Sequence, residues 1–167
     1  KDWRDAENNS TGYQKNDILE KVRNSLIKVK TGQAVYERDG ILFDKIQYSW
    51  PLLAGLMYAS AKLEGTIKVL DFGGSLGSTY FQNKKFLDQF REVSWTIVEQ
   101  KHFVEAGKKD FENEKLKFYD STDLAIEKES PNTLLLLSVL QYIENPYELL
   151  EKLVSKTIKV LFDLIKI

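Results

Sequence analysis

The stretch that decides the fold of this chain reads Ile67-Lys-Val-Leu-Asp-Phe-Gly-Gly-Ser-Leu-Gly-Ser78. It is a short apolar run that reaches an acidic residue, Asp71, and then breaks into a glycine-rich turn. This pattern predicts a buried strand, a ligand-binding loop and the start of a helix. Gly73 and Gly77 let the backbone turn sharply and let a ligand approach main-chain atoms without a Cβ in the way. Because tight turns also need glycine for steric reasons, the turn alone does not establish a binding site.

The composition narrows the classes of partner. The 167 residues carry a formal net charge of −1, from 24 basic and 25 acidic residues in short mixed runs. This balance gives no electrostatic footprint for nucleic acid or anionic lipid, so we expect small molecules or other proteins as partners. With no cysteine and a single histidine, the sequence excludes a disulfide framework and most metal centres. No apolar window approaches the ~20 residues that span a bilayer and no signal-peptide pattern is present, so we expect a cytoplasmic protein.

The length favours one compact domain with a substantial core. The chain begins at Lys1 rather than Met and stops inside an apolar run, so we expect that one or both ends were cut from a longer protein. Residues 1–15 are polar, and they predict an extended lead-in with Trp3 and Tyr13 as its anchors.

The region before the decisive stretch is predicted to be mainly helical. One helix starts at Asn16 and ends before Thr31, with one apolar stripe formed by Ile18, Val22, Leu26 and Val29. Residues 35–44 mix charged and apolar side chains without a clear period, which predicts a loop or short irregular element. A largely buried helix then opens at Pro51 and ends at Gly65.

Apolar runs alternate with amphipathic stretches from residue 67 onward, which is typical of parallel strands joined by helical crossovers. Strands are predicted at 67–72, 93–99, 116–119, 132–139 and 158–165. Helices are predicted around 81–90, at 103–111 with an interruption at Gly107, and at 146–154. The prediction is an α/β fold with a mostly parallel sheet in the order 3-2-1-4-5 and helices on both faces. Residues 1–65 would form a helical extension or lid near the ligand edge of the 66–167 domain.

The glycine spacing discriminates between cofactor classes. The G-x-G-x-x-G fingerprint of dinucleotide enzymes requires glycine where this chain has Ser75 and Ser78, or Leu76 and Thr79. This argues against a nicotinamide-dependent oxidoreductase. The spacing fits better the acidic-x-Gly-x-Gly-x-Gly turn of class I S-adenosylmethionine methyltransferases, with Ser75 in place of the middle glycine.

Two further acidic residues follow predicted strands. Glu99 closes the second strand, where a carboxylate can accept hydrogen bonds from both hydroxyls of a ribose. Asp120 follows the third strand, where such folds commonly contact the adenine amino group. Each acid alone is more often a helix cap or a solvated loop residue. Three such signals at the carboxyl ends of three strands favour a binding site, because open α/β sheets bind ligands at that edge.

Four runs together resemble a bacterial family of class I S-adenosylmethionine-dependent methyltransferases associated with surface-polysaccharide biosynthesis. They are Phe43 to Leu56, Val69 to Ser78, Val98-Glu-Gln100 and Ser138-Val-Leu-Gln-Tyr-Ile-Glu-Asn-Pro146. The resemblance extends from about Thr11 to about Val154. It implies a Rossmann-like class I methyltransferase fold with S-adenosylmethionine at the Gly73–Gly77 turn. The chain departs from the family at Ser75, which narrows the turn, and in lacking the final hairpin of the sheet.

The resemblance also implies roles for individual residues. Asp71 would orient the loop and, through water or directly, the methionyl ammonium, while Gly73, Gly74, Ser75 and Gly77 would admit the cofactor. At the adenosine end, Glu99 would hold the ribose, Gln100 would flank the adenine, and Asp120 and Ser121 would border it. Residues Ser138 to Tyr142 would lie near the sulfonium and face the acceptor.

Catalytic residues are not evident from the sequence. Methyl transfer from a sulfonium needs a general base only when the acceptor is a poor nucleophile, such as a sugar hydroxyl. Tyr142 and His102 are candidates, but the Tyr142 ring could equally pack under the following helix, and a histidine at a helix start is more often a surface or capping residue. A charged cluster could form a lid over the acceptor, although such clusters are usually solvated; it comprises Glu37, Arg38, Asp39, Asp44 and Tyr48.

The sequence therefore predicts a methyltransferase that acts on a small-molecule or saccharide-linked acceptor. A non-catalytic binding or scaffolding module that kept the nucleotide pocket is the alternative. We also expect an exposed apolar edge at the last strand, which would favour association with another copy or poor solubility.

Overall fold

The computed structural model describes residues 16–154 and 158–164. The lead-in predicted for residues 1–15, with Trp3 and Tyr13, lies outside the described residues. The chain divides into two compact units, Lys1–Lys45 and Ile46–Ile167. The predicted division after residue 65 therefore differs from the one observed, because the second helix belongs to the unit that contains the sheet.

The first unit contains one helix and a hairpin. Helix α1 spans Asn16–Lys30 and is followed by β1 (Tyr36–Arg38) and β2 (Ile41–Phe43), which pair antiparallel. The predicted stripe of α1 is buried at Val22 and Leu26. The prediction of an irregular element at residues 35–44 is wrong.

An Asp-Gly pair makes the hairpin possible. Asp39 and Gly40 form the two-residue connection, with φ values of +54° and +76°. Asp-Gly favours such two-residue turns because both central positions need positive φ. The Ser25 hydroxyl donates to the Gly40 carbonyl (2.8 Å), so α1 holds the turn from below.

The second unit is an alternating α/β structure. Its elements are α2 (Trp50–Lys62), β3 (Thr66–Phe72), α3 (Ser78–Leu87), β4 (Glu92–Val98), α4 (Lys101–Asp110), β5 (Leu116–Tyr119), α5 (Thr122–Glu129), β6 (Thr133–Leu137), a 3₁₀ turn (Leu140–Tyr142), α6 (Pro146–Val154) and β7 (Val160–Leu164). Of these, α5 has no counterpart in the sequence prediction. Its ends are held by side chains: Ser121 Oγ accepts the Leu124 N–H (3.3 Å), and the Tyr119 hydroxyl donates to Glu129 (2.5 Å).

The sheet has the predicted topology. Its five strands are all parallel in the order β5-β4-β3-β6-β7, which confirms the predicted order 3-2-1-4-5. The register pairs Phe72 of β3 with Val98 of β4 and Leu136 of β6, and Val98 with Tyr119 of β5. The residues that follow these strands therefore emerge at one edge of the sheet.

Helices cover both faces of the sheet. On one face, Leu70, Val98, Leu134 and Leu136 form a buried cluster with Ala125 of α5 and Leu153 of α6. On the other face, Tyr80 of α3 packs near Trp95 of β4, and Gly107 of α4 lies against Phe118 of β5. The apolar runs of the central strands are buried on both sides, as parallel strands require.

Helix α2 is buried on one face only. Leu52, Leu53 and Leu56 are buried, and Gly55 lies so close to Phe162 of β7 that a Cβ would come within 2.6 Å of its ring. Trp50 and Met57 are 66% and 52% exposed. The prediction of a largely buried helix is therefore only half right.

Strand β7 lies at the edge of the sheet in the described part of the chain, where it pairs with β6 alone. Leu161 is 42% exposed there. Association through this edge stays a prediction. None of the described helices has both the length and the apolar character that a bilayer span needs.

Helix α4 runs unbroken through Gly107, so the predicted interruption is wrong. Glycine stands there for packing: a Cβ would come within 2.5 Å of two ring carbons of Phe118, which is fully buried. We expect Gly107→Ala to lower the free energy of unfolding by about 1–2 kcal/mol, since the overpacking cost exceeds the gain in helix propensity of about 1 kcal/mol. Chemical denaturation measures this change.

The matched control is Glu105→Ala, an exposed position on the same helix, for which we expect a change within about 0.5 kcal/mol. Equal stability of Gly107→Ala and wild type would contradict the packing argument.

Candidate functional site

The glycine turn rests on a buried acidic side chain. Asp71 is 1% exposed, and its Oδ2 accepts the indole N–H of Trp95 at 3.0 Å. A Cβ added at Gly74 would come within 2.6 Å of the same oxygen. Gly74 is thus required by the carboxyl group beneath it. This enclosed position suits the predicted loop-orienting role of Asp71.

Gly73 joins the turn to both neighbouring strands. Its φ is +76°, and its N–H donates to the carbonyl of Val98 at the end of β4 (2.9 Å). On the other side, a Cβ at Gly73 would meet Cγ2 of Val139 at 2.7 Å. The segment that follows β6 therefore touches the turn, as expected if it borders the reacting end of a cofactor.

Gly77 ends the turn and begins α3. It has a φ of +94° at the N-cap position, and its N–H donates to the Gly74 carbonyl (3.1 Å). A Cβ there would lie 3.2 Å from Cδ1 of Ile97. A left-handed glycine packed against the sheet places the N-terminus of α3, the positive end of its helix dipole, at this edge.

Glu99, which directly follows β4, forms a hydrogen bond with the turn. Its carboxyl group accepts the backbone N–H of Gln100 (2.6 Å) and that of Ser75. Burial raises the pKa of the Glu99 carboxyl, while these two N–H groups and the nearby His102 oppose the rise. Ser75 itself has a φ of +54°, a conformation that favours glycine. The carboxyl group thus holds a strained residue in place.

The predicted adenine side is more open. Asp120 and Gln100 are exposed at the ends of β5 and β4, and Gln100 occupies the N-cap position of α4. Ser121 is the N-cap of α5, with its hydroxyl accepting the Leu124 N–H. Its hydroxyl therefore has a structural role, and roles of all three residues toward adenine stay predictions.

The segment after β6 carries a second strained residue. Ser138 has a φ of +53° without being glycine. Tyr142, in the 3₁₀ turn that follows, is 64% exposed, so its ring is not packed under α6. Strained backbone clusters at functional sites, and here it occurs at the edge that holds the glycine turn.

The other catalytic candidate is less accessible. His102 lies in the first turn of α4, with its ring 4.9 Å from that of Phe103. Its Nε2 is buried and has no hydrogen-bond partner among the described residues. That position does not favour proton removal from an acceptor.

The predicted lid residues differ in environment. Glu37 is 1% exposed and accepts the Gly40 N–H (3.0 Å), so it stabilises the hairpin turn. Arg38 lies over the Phe43 ring at 5.5 Å, Asp39 is part of the turn, and Asp44 is exposed. Tyr48 belongs to the second unit, where its ring is 5.1 Å from that of Phe86. A lid function stays a prediction.

Sequence reasoning missed Trp95, and it included Val139 only as part of the segment from Ser138 to Tyr142. The sequence identified Trp95 only as an apolar residue of a strand. A tryptophan in a buried strand needs an acceptor for its indole N–H, and Asp71 in the neighbouring strand supplies it. The contact of Val139 with Gly73 had no signal in the sequence, because it depends on the pairing of β3 with β6. Among the described residues, no group of acidic or histidine side chains could hold a metal ion.

No protein-family model matches the chain. None of the curated proteins matches it either. Among solved structures, it is similar to the plantazolicin methyltransferase BamL in complex with a triazolic desmethylPZN analog and SAH, with 13% identity and a TM-score of 0.40. It is also similar to the plantazolicin methyltransferase BpumL in complex with a pentazolic desmethylPZN analog and SAH, with 20% identity and a TM-score of 0.45.

The two likenesses cover 83% and 89% of this chain. In the other direction, the chain spans 54% and 61% of the length of those structures. The geometry of the chain's own residues, rather than these likenesses, supports the function proposed below.

The raised pKa of Glu99 predicts a pH-dependent contribution to stability. The folded protein holds the carboxyl proton more tightly than the unfolded chain, so this stabilisation is present below the ordinary pKa of 4.5 and is lost as pH rises through the folded-state pKa. Glu99→Gln keeps an oxygen acceptor but does not titrate. We expect the free energy of unfolding of the variant, relative to wild type, to increase from about pH 4 to about pH 7.

Urea denaturation across this pH range measures the effect. Glu105→Gln, an exposed position on α4, is the control and should show no comparable trend. A relative stability of Glu99→Gln that stays constant or falls with pH would refute the argument.

Proposed function

We propose that this chain is an S-adenosylmethionine-dependent methyltransferase acting on a small-molecule or saccharide-linked acceptor. The observation that carries the proposal is the turn of residues 73–77, which is joined to the end of β4 by the Gly73 N–H and by the Glu99 carboxyl group. A carboxylate beside a glycine turn at the carboxyl edge of a parallel sheet suits an adenosine cofactor.

The residues present fit such a cofactor. Gly73 and Gly77 have no side chains, and α3 begins beside the turn with the positive end of its helix dipole. Glu99 is placed to hold the ribose, and Gln100, Asp120 and Ser121 to border the adenine. The cofactor supplies a methyl group on a sulfonium, which is already activated for displacement.

The chain's own contribution to methyl transfer would be alignment and exclusion of water. Val139 touches the turn, which places the segment from Ser138 to Tyr142 next to the reacting end. Tyr142 is the exposed hydroxyl in that segment, and we propose that it contacts the acceptor. Because His102 Nε2 is buried, we assign it no proton transfer.

The loops at the carboxyl edge of the sheet carry charges that indicate which acceptor charge the site would accept. The described residues of the loops 73–77, 99–100, 120–121 and 138–145 include the acids Glu99, Asp120 and Glu144 and no lysine or arginine. Such a surface attracts a cationic methyl donor and repels anions. We therefore propose that the methylated part of the acceptor is neutral or cationic rather than phosphorylated. A saccharide acceptor and a link to polysaccharide biosynthesis rest on the family resemblance alone.

A non-catalytic binding module remains the second candidate. This alternative is favoured because His102 Nε2 is buried. Of the two predicted bases, only Tyr142 then lies at the open edge. Isothermal titration calorimetry with S-adenosylmethionine and its demethylated product, followed by turnover assays with neutral and phosphorylated sugars, separates the two. Cofactor binding without turnover across acceptors would favour the module, and no binding would refute both.

A substitution in the turn tests where the cofactor binds. Gly73→Ala places a methyl group against Val139 and strains a positive φ, so we expect affinity for S-adenosylhomocysteine to fall by about tenfold or more. Gly32→Ala is the matched control, since Gly32 has a φ of +75° but no heavy atom near the added Cβ, and it lies in the first unit. Calorimetry should show wild-type affinity for the control. Equal losses in both variants would contradict the assigned site.

A further inference from the structure

We propose that Trp95 is a positioning residue for the cofactor turn, acting through Asp71. Besides the packing of Gly77 against Ile97, three contacts hold the turn of residues 73–77 on the β4 side. The first two are the Gly73 N–H on the Val98 carbonyl and the Ser75 N–H on Glu99. The third is the Asp71 side chain beneath Gly74, whose position is set by the Trp95 indole. This inference rests on the proposed function, since the turn matters because it holds the cofactor.

The geometry gives Trp95 more than a packing role. Its side chain is fully buried and its Nε1 lies 3.0 Å from Asp71 Oδ2, in a region that water does not reach. The same Oδ2 is the atom that a Cβ at Gly74 would meet at 2.6 Å. The carboxyl group therefore occupies the space beside the Gly74 backbone that a side chain would need, and we infer that its position affects the position of the turn.

The hydrogen bond to Trp95 restricts the position of the Asp71 carboxyl group. A hydrogen bond to a carboxyl oxygen inside a protein is strong, and removing a donor from a buried acceptor carries a desolvation cost. After loss of the indole N–H, the carboxyl group would rotate towards another donor or towards solvent. Either movement would change the contact between the carboxyl group and Gly74, and we expect the turn to move with it.

The decisive variant is Trp95→Phe, which keeps an aromatic ring in the core and removes the donor. We expect the affinity for S-adenosylhomocysteine to fall by about tenfold or more. A purely structural role of Trp95 would not confine the change to the turn, so the comparison of amide resonances described below separates the two roles.

Tyr80→Phe is the matched control. Tyr80 is 2% exposed and its ring centroid lies 6.0 Å from that of Trp95, so the variant removes a polar atom from the same buried cluster. It does not alter the donor to Asp71. We expect an affinity within about twofold of wild type.

A ligand-free measurement separates this inference from the proposed function. In ¹⁵N-correlated NMR spectra of the free protein, Trp95→Phe should shift the amide resonances of Gly73, Gly74 and Ser75 more than those of Gly77. Replacing Trp95 with benzothienylalanine, which has the shape of tryptophan without the N–H, gives the same test if the phenylalanine variant fails to fold. Unchanged turn resonances would overturn the positioning role. If wild type does not bind S-adenosylhomocysteine, the proposed function fails while the NMR result still decides the role of Trp95.

Discussion

The hydrogen bond between the Trp95 indole and the Asp71 carboxyl group is the interaction on which the site depends. It lies in the core, between two neighbouring parallel strands, and it joins an acidic side chain to a residue 24 positions later in the chain. A carboxyl group at this depth is costly unless it has donors, so the pairing of β3 with β4 and the placement of the acid stabilise each other. Because the same oxygen lies against Gly74, the core of the sheet determines the position of the turn above it.

The turn also carries local strain that the surrounding structure has to offset. Ser75 and Ser138 both have positive φ, and both lie where strands of the sheet end. Asp39 and Ser130 share this conformation for ordinary reasons, since the first is in a hairpin turn and the second ends α5. At Ser75 the backbone N–H donates to Glu99, which offsets part of the strain, at the expense of burying a carboxyl group whose pKa rises. Strain at this edge of the sheet supports the proposed binding site, because backbone strain costs stability and is found mainly where function requires it.

Much of the architecture could be predicted from the sequence, and the exceptions have identifiable causes. The sheet order followed from alternating apolar and amphipathic runs, because parallel strands need helical crossovers of one hand. The hairpin was missed although Asp39-Gly40 signals it, since strands of three residues are too short to show a period. Helix α5 was missed because Ala125 is its single buried residue, so no apolar stripe marks it, and its caps hold it instead. Gly107 was misread because a helix glycine can mark either a break or a close contact.

By itself, the sequence determined the strands, their order and the edge at which Gly73, Glu99 and Asp120 emerge, because these follow from local periodicity and from general rules of chain connection. Only the tertiary structure decided what holds that edge together. The contact of Asp71 with Trp95 joins two strands, and those of Gly73 with Val139 and of Ser75 with Glu99 join the segments that follow different strands. Their geometry depends on register and on side-chain packing, which no local pattern along the chain encodes.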